Sequence, residues 1–347
     1  MATYKEAGVD IEKGDECSRI AYEAAKATFA GRKGMIGEPV VLEGGFAGAL
    51  DFGDFYLIQN DDGIGTKMVI ARQVGKYDTM GYDLVGMVAD DAICVGAEVV
   101  SISNTIDVEK VEKDVIEQLM KGLQKACEEQ KIVIPGGEIA ELGTMVDGYI
   151  WNATAVGIVE KDKFITGDKV EVGDPIIGLK SRLFRSNGVS LVRHIMAETF
   201  GTEWYNEPYK DGKSWGEALL APTKIYHNAV LDMIGRYKEP SKVNISAIAH
   251  ITGGGLPGNI SRIVKHKGYG ARIESLPRAN EVMLKVKEFG NVSDKEAFKT
   301  WNMGVGMVLV SKDIDKIIEI AKKHDVEAMQ IGEIVAEPGV NILNVPF

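Results

Sequence analysis

Short apolar segments alternate with amphipathic helical patterns along the whole chain, and this alternation constrains the fold more than any other feature. The clearest helical pattern covers residues 108–127, where apolar residues recur at spacings of three and four. Further helices are predicted at residues 187–199, 222–235 and 312–324. Strands are predicted at residues 39–43, 55–60, 98–103, 131–135, 149–159, 245–250, 305–311 and 328–335. Because no strict βαβ rhythm is present, we expect an α/β or α+β protein with mixed sheets rather than a doubly wound fold.

The length of the chain indicates two domains, since a domain usually has roughly 100–200 residues and this chain has 347. Residues 164–179 contain three turns marked by glycine and aspartate, after which a new apolar strand begins. We therefore expect an N-terminal domain of residues 1–169 and a C-terminal domain of residues 170–347.

Charge and cysteine content narrow the class of protein. The net charge of −11 argues against a nucleic-acid-binding surface, because neutralising phosphates requires an excess of lysine and arginine. The chain has only three cysteines and no CxxC pair, which is typical of a reducing compartment. No apolar run approaches the ~20 residues of a membrane span, and the first ten residues lack the apolar core of a signal peptide. We expect a cytoplasmic protein that does not bind membranes.

Carboxylates stand beside glycines in several places. The stretch "QNDDGIGTKM" (59–68) follows a short apolar run and places Asp61 and Asp62 side by side; a solvated turn and a ligand site are both compatible with this pattern. In residues 82–99, helical periodicity places Asp91 on one apolar face with Leu84 and Val88, and turns Asp90 about 100° away. An aspartate in an apolar stripe needs a cation, a metal or a hydrogen-bond donor. A helix N-cap or an internal salt bridge is the alternative.

Two further stretches place glycines after predicted strands. "PGGEIAEL" (135–142) delivers Glu138 at a strand tip, where glycines let the backbone approach a ligand. "IAHITGGGLPGNISRI" (248–263) runs from a strand through three glycines into a helix, whose N–H groups are suited to a phosphate. His250 precedes these glycines and could equally be a core histidine with its hydrogen bonds satisfied. Walker A, GxGxxG and GxSxG motifs are lacking at the required places, so dispersed carboxylates indicate a Mg²⁺–nucleotide site outside the P-loop class.

The chain resembles the phosphoribosylformylglycinamidine cyclo-ligase (aminoimidazole ribonucleotide synthetase) family nearly from end to end. Matching segments lie at residues 4–11, 62–68, 83–98, 136–141, 186–193, 219–226, 249–260 and 302–310. The resemblance implies an ATP-driven closure of formylglycinamidine ribonucleotide to aminoimidazole ribonucleotide in purine biosynthesis. It also implies a homodimer, with N-terminal domains that bind ATP and together close a β-barrel at the interface, and an α/β C-terminal domain.

The resemblance also implies roles for particular residues. Those implied for ATP are Asp62, Gly63, Gly65, Thr66, Lys67, Asp91 and Glu138. Those implied for Mg²⁺ are Asp62, Asp91 and Glu138. Those implied for the phosphoribosyl substrate are Arg185, Ser186, Asn187, Gly188, Gly253, Gly254 and Gly255. The catalytic residues implied are Lys67, as the phosphate cation, and His250, as the candidate for proton transfer. Arg185 could instead be a surface or dimer contact.

Several positions depart from the family pattern. The family has Thr, Asn and Pro where this chain has Asp61, Asp90 and Val99. It has Asp-Tyr at Asn104-Thr105, Thr at Ile139, and Ser-Ser-Gly-x-His where residues 181–185 end in Arg185. Two alternatives therefore stand beside the cyclo-ligase: a diverged ATP-dependent paralogue that phosphorylates another small acceptor, and a non-catalytic nucleotide-binding protein.

Overall fold

The structure, a computed structural model, describes residues 2–42 and 45–347. Residue 43, the last of the strand predicted at 39–43, lies outside the described residues. Near the start of the chain, helix α1 (Ile11–Ala27) begins after Asp10, whose side chain accepts a hydrogen bond from the Lys13 N–H at 3.2 Å. This is the usual way in which an aspartate caps the unpaired N–H groups of a first helical turn.

Six strands form the first sheet, in the spatial order β1-β2-β3-β6-β4-β5. They are β1 (Glu38–Val40), β2 (Gly48–Asp51), β3 (Phe55–Gly63), β4 (Glu98–Val108), β5 (Gly137–Glu141) and β6 (Tyr149–Glu160). β4 and β5 run parallel, and every other neighbouring pair runs antiparallel. The sheet is therefore mixed, as predicted, and β3, β4 and β6 confirm three predicted strands.

In this half, one predicted strand is wrong, and one predicted helix is confirmed as α4 except at its start. The strand predicted at residues 131–135 is reduced to a single bridge between Val133 and Ser101. Lys131 has φ 58°, in the left-handed region, because it caps the preceding helix, and the next strand begins only at Gly137. The helix predicted from residue 108 begins at Lys113, because Val108 still pairs with Tyr149 in the sheet.

Seven strands form the second sheet, in the order β10-β12-β7-β13-β11-β14-β15. They are β7 (Pro175–Lys180), β10 (Ala247–His250), β11 (Gly270–Ile273), β12 (Val305–Val310), β13 (Ala328–Val335), β14 (Gly339–Ile342) and β15 (Val345–Pro346). A short hairpin, β8 (Pro208–Lys210) and β9 (Lys213–Ser214), lies apart. The strands predicted near 245–250, 305–311 and 328–335 are confirmed. The chain passes between the two sheets over residues 161–174, and the domain limits 1–169 and 170–347 stay a prediction.

Helices flank both sheets. In the first half these are α2 (Lys67–Val74), α3 (Met80–Ile93) and α4 (Lys113–Gln130). In the second half they are α5 (Val189–Phe200), α6 (Trp215–Leu219), α7 (His227–Ile234), α8 (Gly255–Val264), α9 (Glu281–Phe289), α10 (Asp294–Thr300) and α11 (Ile314–Lys323). The buried stripe of α4, which includes Leu119 and Leu123, packs toward α3. This is the 3.6-residue periodicity that indicated a helix.

Helix α3 lies at the centre of the molecule and joins its two halves. It contacts β3, β4 and β6 of the first sheet and also α7 and β10 of the second half. Nearly all of its side chains are buried, including Asp83 and Asp90. Because α3 is covered on nearly all sides, a polar residue on it faces other protein groups rather than solvent.

Strand alternation separates the two neighbouring aspartates of β3. Asn60 is buried and Asp61 is exposed, since successive side chains of a strand point to opposite faces. Asp62 therefore shares the helix-covered face with Asn60, whereas Asp61 lies on the outer face and accepts a hydrogen bond from the Thr154 hydroxyl. The two neighbouring carboxylates therefore do not face each other, and only Asp62 is placed on the face that α3 covers.

Among residues 2–42 and 45–347, no helix combines the length and the apolar character that a membrane span requires.

Candidate active site around Asp91

Asp91, near the end of α3, forms the centre of the candidate site. Its side chain is 14% exposed, and one of its oxygens lies 2.7 Å from the Nδ1 atom of His250, the last residue of β10. Burial lowers the pKa of His250 well below its ordinary value, and the positive charges of Arg185 and Arg262 lower it further. The ring is therefore neutral, and it donates its Nδ1–H to the carboxylate when Asp91 is ionised.

Asp62 lies close enough to interact with Asp91. Burial raises the pKa of Asp91 to about 7, and the charges of Arg262 and Arg185 oppose this rise. Burial also raises the pKa of Asp62 to about 6; the Gly63 N–H, 2.7 Å from its oxygen, lowers it, and the charge of Asp91 raises it. Two half-shielded carboxylates with raised pKa values are typical of a functional site.

The structure adds two residues to this pair that the sequence analysis did not assign. Asn60 donates to the Val88 carbonyl at 3.3 Å and also lies within hydrogen-bond reach of Asp91. Arg262, on α8, interacts with Asp91 through its charge and donates to the Gly45 carbonyl at 2.6 Å. The two-residue period of a strand, which places Asn60 on the face of Asp62, was a usable signal for Asn60.

Glu138 does not join Asp62 and Asp91. It pairs with Thr105 in the β4–β5 ladder, and Thr105 is exposed between two buried residues of β4. Glu138 therefore points to the outer face of the sheet, opposite to Asp62. In the described part of the chain, no group of three or more His, Cys, Asp or Glu side chains converges as a metal site. The predicted set of three carboxylates is not assembled within one protomer.

Lys67 is held inside the protein rather than presented to a phosphate. Its side chain is 1% exposed, and its ammonium group donates to both Asp83 oxygens at 2.8 and 2.9 Å and to the Ala221 carbonyl at 3.0 Å. An ammonium group has three N–H donors, so all of them are used. The structure gives Lys67 a structural role in place of the predicted phosphate contact and catalytic role.

Arg185 likewise faces the interior instead of a substrate. Its guanidinium donates to Asp90 at 2.7 Å, to the Gly86 carbonyl at 2.9 Å and to the Lys224 carbonyl at 3.3 Å. The other oxygen of Asp90 accepts the N–H groups of residues 226 and 227 at 2.9 and 3.0 Å. The predicted substrate contact of Arg185 is therefore corrected, and so is the surface alternative. The internal salt bridge considered for Asp91 belongs to its neighbour Asp90.

The remaining predicted residues lie in or beside loops that contain glycines. The Thr66 hydroxyl lies 3.0 Å from the Ser190 hydroxyl. This contact joins the loop of Gly63 and Gly65 to the start of α5. Just before α5, the side-chain oxygen of Asn187 is buried and has no hydrogen-bond partner. Ser186 lies 3.5 Å from Asp83 at the same place. This end of α5 therefore has an amide oxygen available to a ligand.

The loop of Gly253, Gly254 and Gly255 connects His250 to α8. Gly255 has φ 60°, and a Cβ atom at this position would collide with the Phe298 carbonyl, so only glycine fits. Next to Gly254 lies a cavity of about 750 Å³, which Tyr4 also lines. Burial raises the pKa of Tyr4, and a hydrogen bond from the Gly188 backbone opposes this rise. Tyr4 thus connects the starts of α5 and α8, and sequence analysis assigned it no role.

Family models match most of the chain. The N-terminal domain of AIR synthase related proteins matches residues 44–159, and the C-terminal domain of the same group matches residues 171–343. The chain is also similar to solved structures at low identity. A thiamine-monophosphate kinase from Stenotrophomonas maltophilia is 16% identical, with a TM-score of 0.62 over 88% of this chain and 90% of that one. T. maritima PurL complexed with ATP is 16% identical, with a TM-score of 0.56 over 91% of this chain and 45% of that one. These two likenesses show the fold.

Curated relatives match at much higher identity. A phosphoribosylformylglycinamidine cyclo-ligase from Methanococcus maripaludis is 40% identical over 341 residues, which cover 96% of this chain and 92% of the relative. The enzyme of the same name from Pyrococcus furiosus is 39% identical over 346 residues, which cover 99% of this chain and 98% of the relative. The chain therefore belongs to the phosphoribosylformylglycinamidine cyclo-ligase family of AIR synthase related proteins.

Proposed function

We propose that the chain catalyses the ATP-dependent closure of formylglycinamidine ribonucleotide to aminoimidazole ribonucleotide, a step of purine biosynthesis. The observation that carries the proposal is the pairing of Asp62 and Asp91, with raised pKa values, beside the loop that leads from His250 into α8. The near full-length identity to cyclo-ligases supports the choice of this reaction over others on the same fold. We place the reaction in the cytoplasm, which fits the free thiols of Cys17, Cys94 and Cys127.

The proposed chemistry needs positioning and charge stabilisation rather than a protein nucleophile. The formyl oxygen of the substrate attacks the γ-phosphorus of ATP and ADP leaves. The amidine nitrogen of the substrate then attacks the formyl carbon. The bond between this carbon and the phosphorylated oxygen breaks, phosphate leaves, and a proton is lost. A preorganised site lowers the barrier by holding the two reacting groups together and by stabilising the developing charge.

The residues of the site fit divalent cation binding. Asp62 and Asp91 offer hard carboxylate oxygens in a partly shielded position, and such oxygens suit Mg²⁺, which usually uses one or two carboxylates plus phosphate oxygens. When bound, Mg²⁺ would neutralise charge on the transferring phosphoryl group. His250 orients the Asp91 carboxylate through its Nδ1–H, so we propose a positioning role for it in place of proton transfer.

The glycine loops and Asn187 are proposed to hold the nucleotide and the substrate. Backbone N–H groups at the start of α8 suit a phosphate, because the first N–H groups of a helix have no partner within the helix. The unpartnered Asn187 oxygen suits an N–H donor such as the amidine of the substrate. We propose ATP binding and dimerisation for residues 1–169, next to a C-terminal domain of residues 170–347.

One assay tests the proposed reaction. Phosphate release from ATP should depend on added formylglycinamidine ribonucleotide, and aminoimidazole ribonucleotide should appear in equal amounts. Phosphate release that requires a different small acceptor would favour the diverged paralogue. ATP binding without phosphate release under any of these conditions would favour the non-catalytic protein.

Metal binding is expected to strengthen with rising pH. Both site carboxylates have raised pKa values, about 6 for Asp62 and about 7 for Asp91, so each is increasingly protonated below its pKa and loses its charge. Mg²⁺ must displace those protons. Titration calorimetry in two buffers of different ionisation enthalpy should therefore detect proton release near pH 6 and almost none at pH 8.5. Equal Mg²⁺ affinity at the two pH values would contradict the proposed ligands.

The outer face of the first sheet supports the proposed homodimer. Partly or fully exposed apolar side chains on this face are Leu50, Leu57, Val100, Ile150, Val156 and Ile158. The sheet is open, and two such sheets facing each other could close the barrel that the family resemblance implies. Apolar side chains exposed on a sheet face mark a candidate interface, and here they stand among polar residues such as Asp61 and Thr105.

A charge in the middle of this face should separate the protomers. Val156→Lys is expected to yield a monomer, because the lysine would be buried without a partner. Light scattering at micromolar concentration measures the mass, with Val172→Lys as a control at an exposed apolar residue outside the first sheet. A monomeric wild type would contradict the proposed dimer.

A further inference from the structure

A second cavity lies between α4 and the C-terminal half, with a volume of about 590 Å³. Four cationic side chains line it: Lys121 and Lys125 from one face of α4, and Arg182 and Lys224 from loops of the second half. An adjoining cavity of about 530 Å³ shares Arg182 and Lys224 and adds Arg278. Cavities of this size suit small-molecule ligands.

The four cations of this cavity outnumber its two carboxylates, Asp78 and Glu129. In a chain of net charge −11, none of Lys121, Lys125, Arg182 or Lys224 forms a salt bridge within residues 2–42 and 45–347. The Glu129 carboxylate on the wall accepts a hydrogen bond from the Tyr82 hydroxyl at 2.7 Å. Like charges in one cavity repel, so an excess of cations over carboxylates on its wall indicates a place for an anion.

The surroundings of Lys224 and Thr79 also favour an anion in this cavity. Burial lowers the pKa of the Lys224 ammonium, and the charge of Arg182 lowers it further, whereas Asp325 and Glu129 oppose the shift. The Thr79 hydroxyl, also on the wall, is buried and has no hydrogen-bond partner. An anion with several oxygens would offset the repulsion and could also bond this hydroxyl.

The cavity is separate from the site around Asp91. Thr79 immediately precedes α3, and Asp91 lies twelve residues later, near the opposite end of the helix. With a rise of 1.5 Å per residue, the two positions are roughly 18 Å apart along the helix axis. A ligand in this cavity would therefore not compete directly for the Asp91 carboxylate.

We propose that this cavity is a binding site for a small phosphate-bearing molecule, distinct from the candidate active site. Arg182 supplies a fork that matches two phosphate oxygens, and Lys121, Lys125 and Lys224 supply point charges around it. The proposal does not depend on the reaction proposed above, because it rests on side chains outside the candidate active site.

Lysine footprinting tests the site at residue resolution. The full-length protein is acylated under limiting reagent, with and without inorganic pyrophosphate and in the presence of EDTA, and labelling of each lysine is measured by mass spectrometry. Pyrophosphate should slow the labelling of Lys224, Lys121 and Lys125 several-fold. Lys213 and Lys322, which are exposed and line neither cavity, report any non-specific effect and should label equally in both samples.

Variants and a second anion complete the test. Arg182→Gln should abolish the protection of Lys224, whereas Lys322→Gln, with the same change of charge, should leave it intact; thermal melting confirms that both variants are folded. The proposal would be overturned if Lys213 and Lys322 were protected as strongly as Lys224. It would also be overturned if pyrophosphate did not protect Lys224 in the wild type. Protection by citrate as strong as that by pyrophosphate would overturn the preference for phosphate.

Discussion

Replacing Asp91 by asparagine is expected to lower kcat about 100- to 1,000-fold, the loss typical of removing one preorganised electrostatic group from an active site. The amide cannot carry the negative charge that the carboxylate presents beside Asp62 and Arg262. The fold should remain, because asparagine has the same size and its oxygen still accepts the His250 Nδ1–H. The measurement is the rate of phosphate release from ATP in the presence of formylglycinamidine ribonucleotide.

A matched substitution separates this effect from a general loss of charge. Asp54→Asn makes the same chemical change in an exposed turn, and its kcat should equal that of the wild type. Full activity of the Asp91 variant would exclude Asp91 from the reaction. An activity loss that is accompanied by a large fall in melting temperature would instead assign it a structural role.

Replacing Asp90 by alanine should lower the free energy of unfolding by about 3–5 kcal/mol, the cost of leaving one partner of a buried ion pair without a counter-charge. The side chains of Asp90 and Arg185 are at most 1% exposed. The N–H groups of Tyr226 and His227 would lose their acceptor as well. Urea denaturation followed by far-UV circular dichroism gives the change directly.

Two comparisons sharpen the stability test. The double variant Asp90→Leu with Arg185→Met should recover part of the loss, because it removes both charges but leaves the two N–H groups unpaired. Lys113→Ala, which breaks an exposed pair with Glu117, should show no measurable change. An Asp90→Ala variant as stable as the wild type would contradict the importance of the pair.

Periodicity predicted most of the fold, because it reflects local geometry. The strands at 149–159 and 328–335 and the helix at 187–199 agree closely with β6, β13 and α5. The strand predicted at residues 131–135 failed because an apolar run does not reveal whether a partner strand is available. Only one bridge, from Val133 to Ser101, forms there.

The site was harder to predict than the fold, because it depends on contacts between distant parts of the chain. Helical periodicity correctly predicted that the side chains of Asp90 and Asp91 point in different directions. It could not show that the second half of the chain covers Asp90, which makes that residue the more buried of the two. Lys67 fits a phosphate loop by its motif, yet its partner Asp83 lies one helix further along the chain. Glu138 shows the same limit, because its strand register decides which face of the sheet it joins.

The buried pair of Asp90 and Arg185 ties the two halves of the chain together. Asp90 lies on α3, Arg185 lies in the loop before α5, and their side chains meet at 2.7 Å. The sequence analysis treats these two positions as separate departures from the pattern that the resemblance implies, but in the structure they are in contact. Replacing either residue alone leaves a buried charge without its partner. Each of the two positions therefore constrains which residue the other can hold.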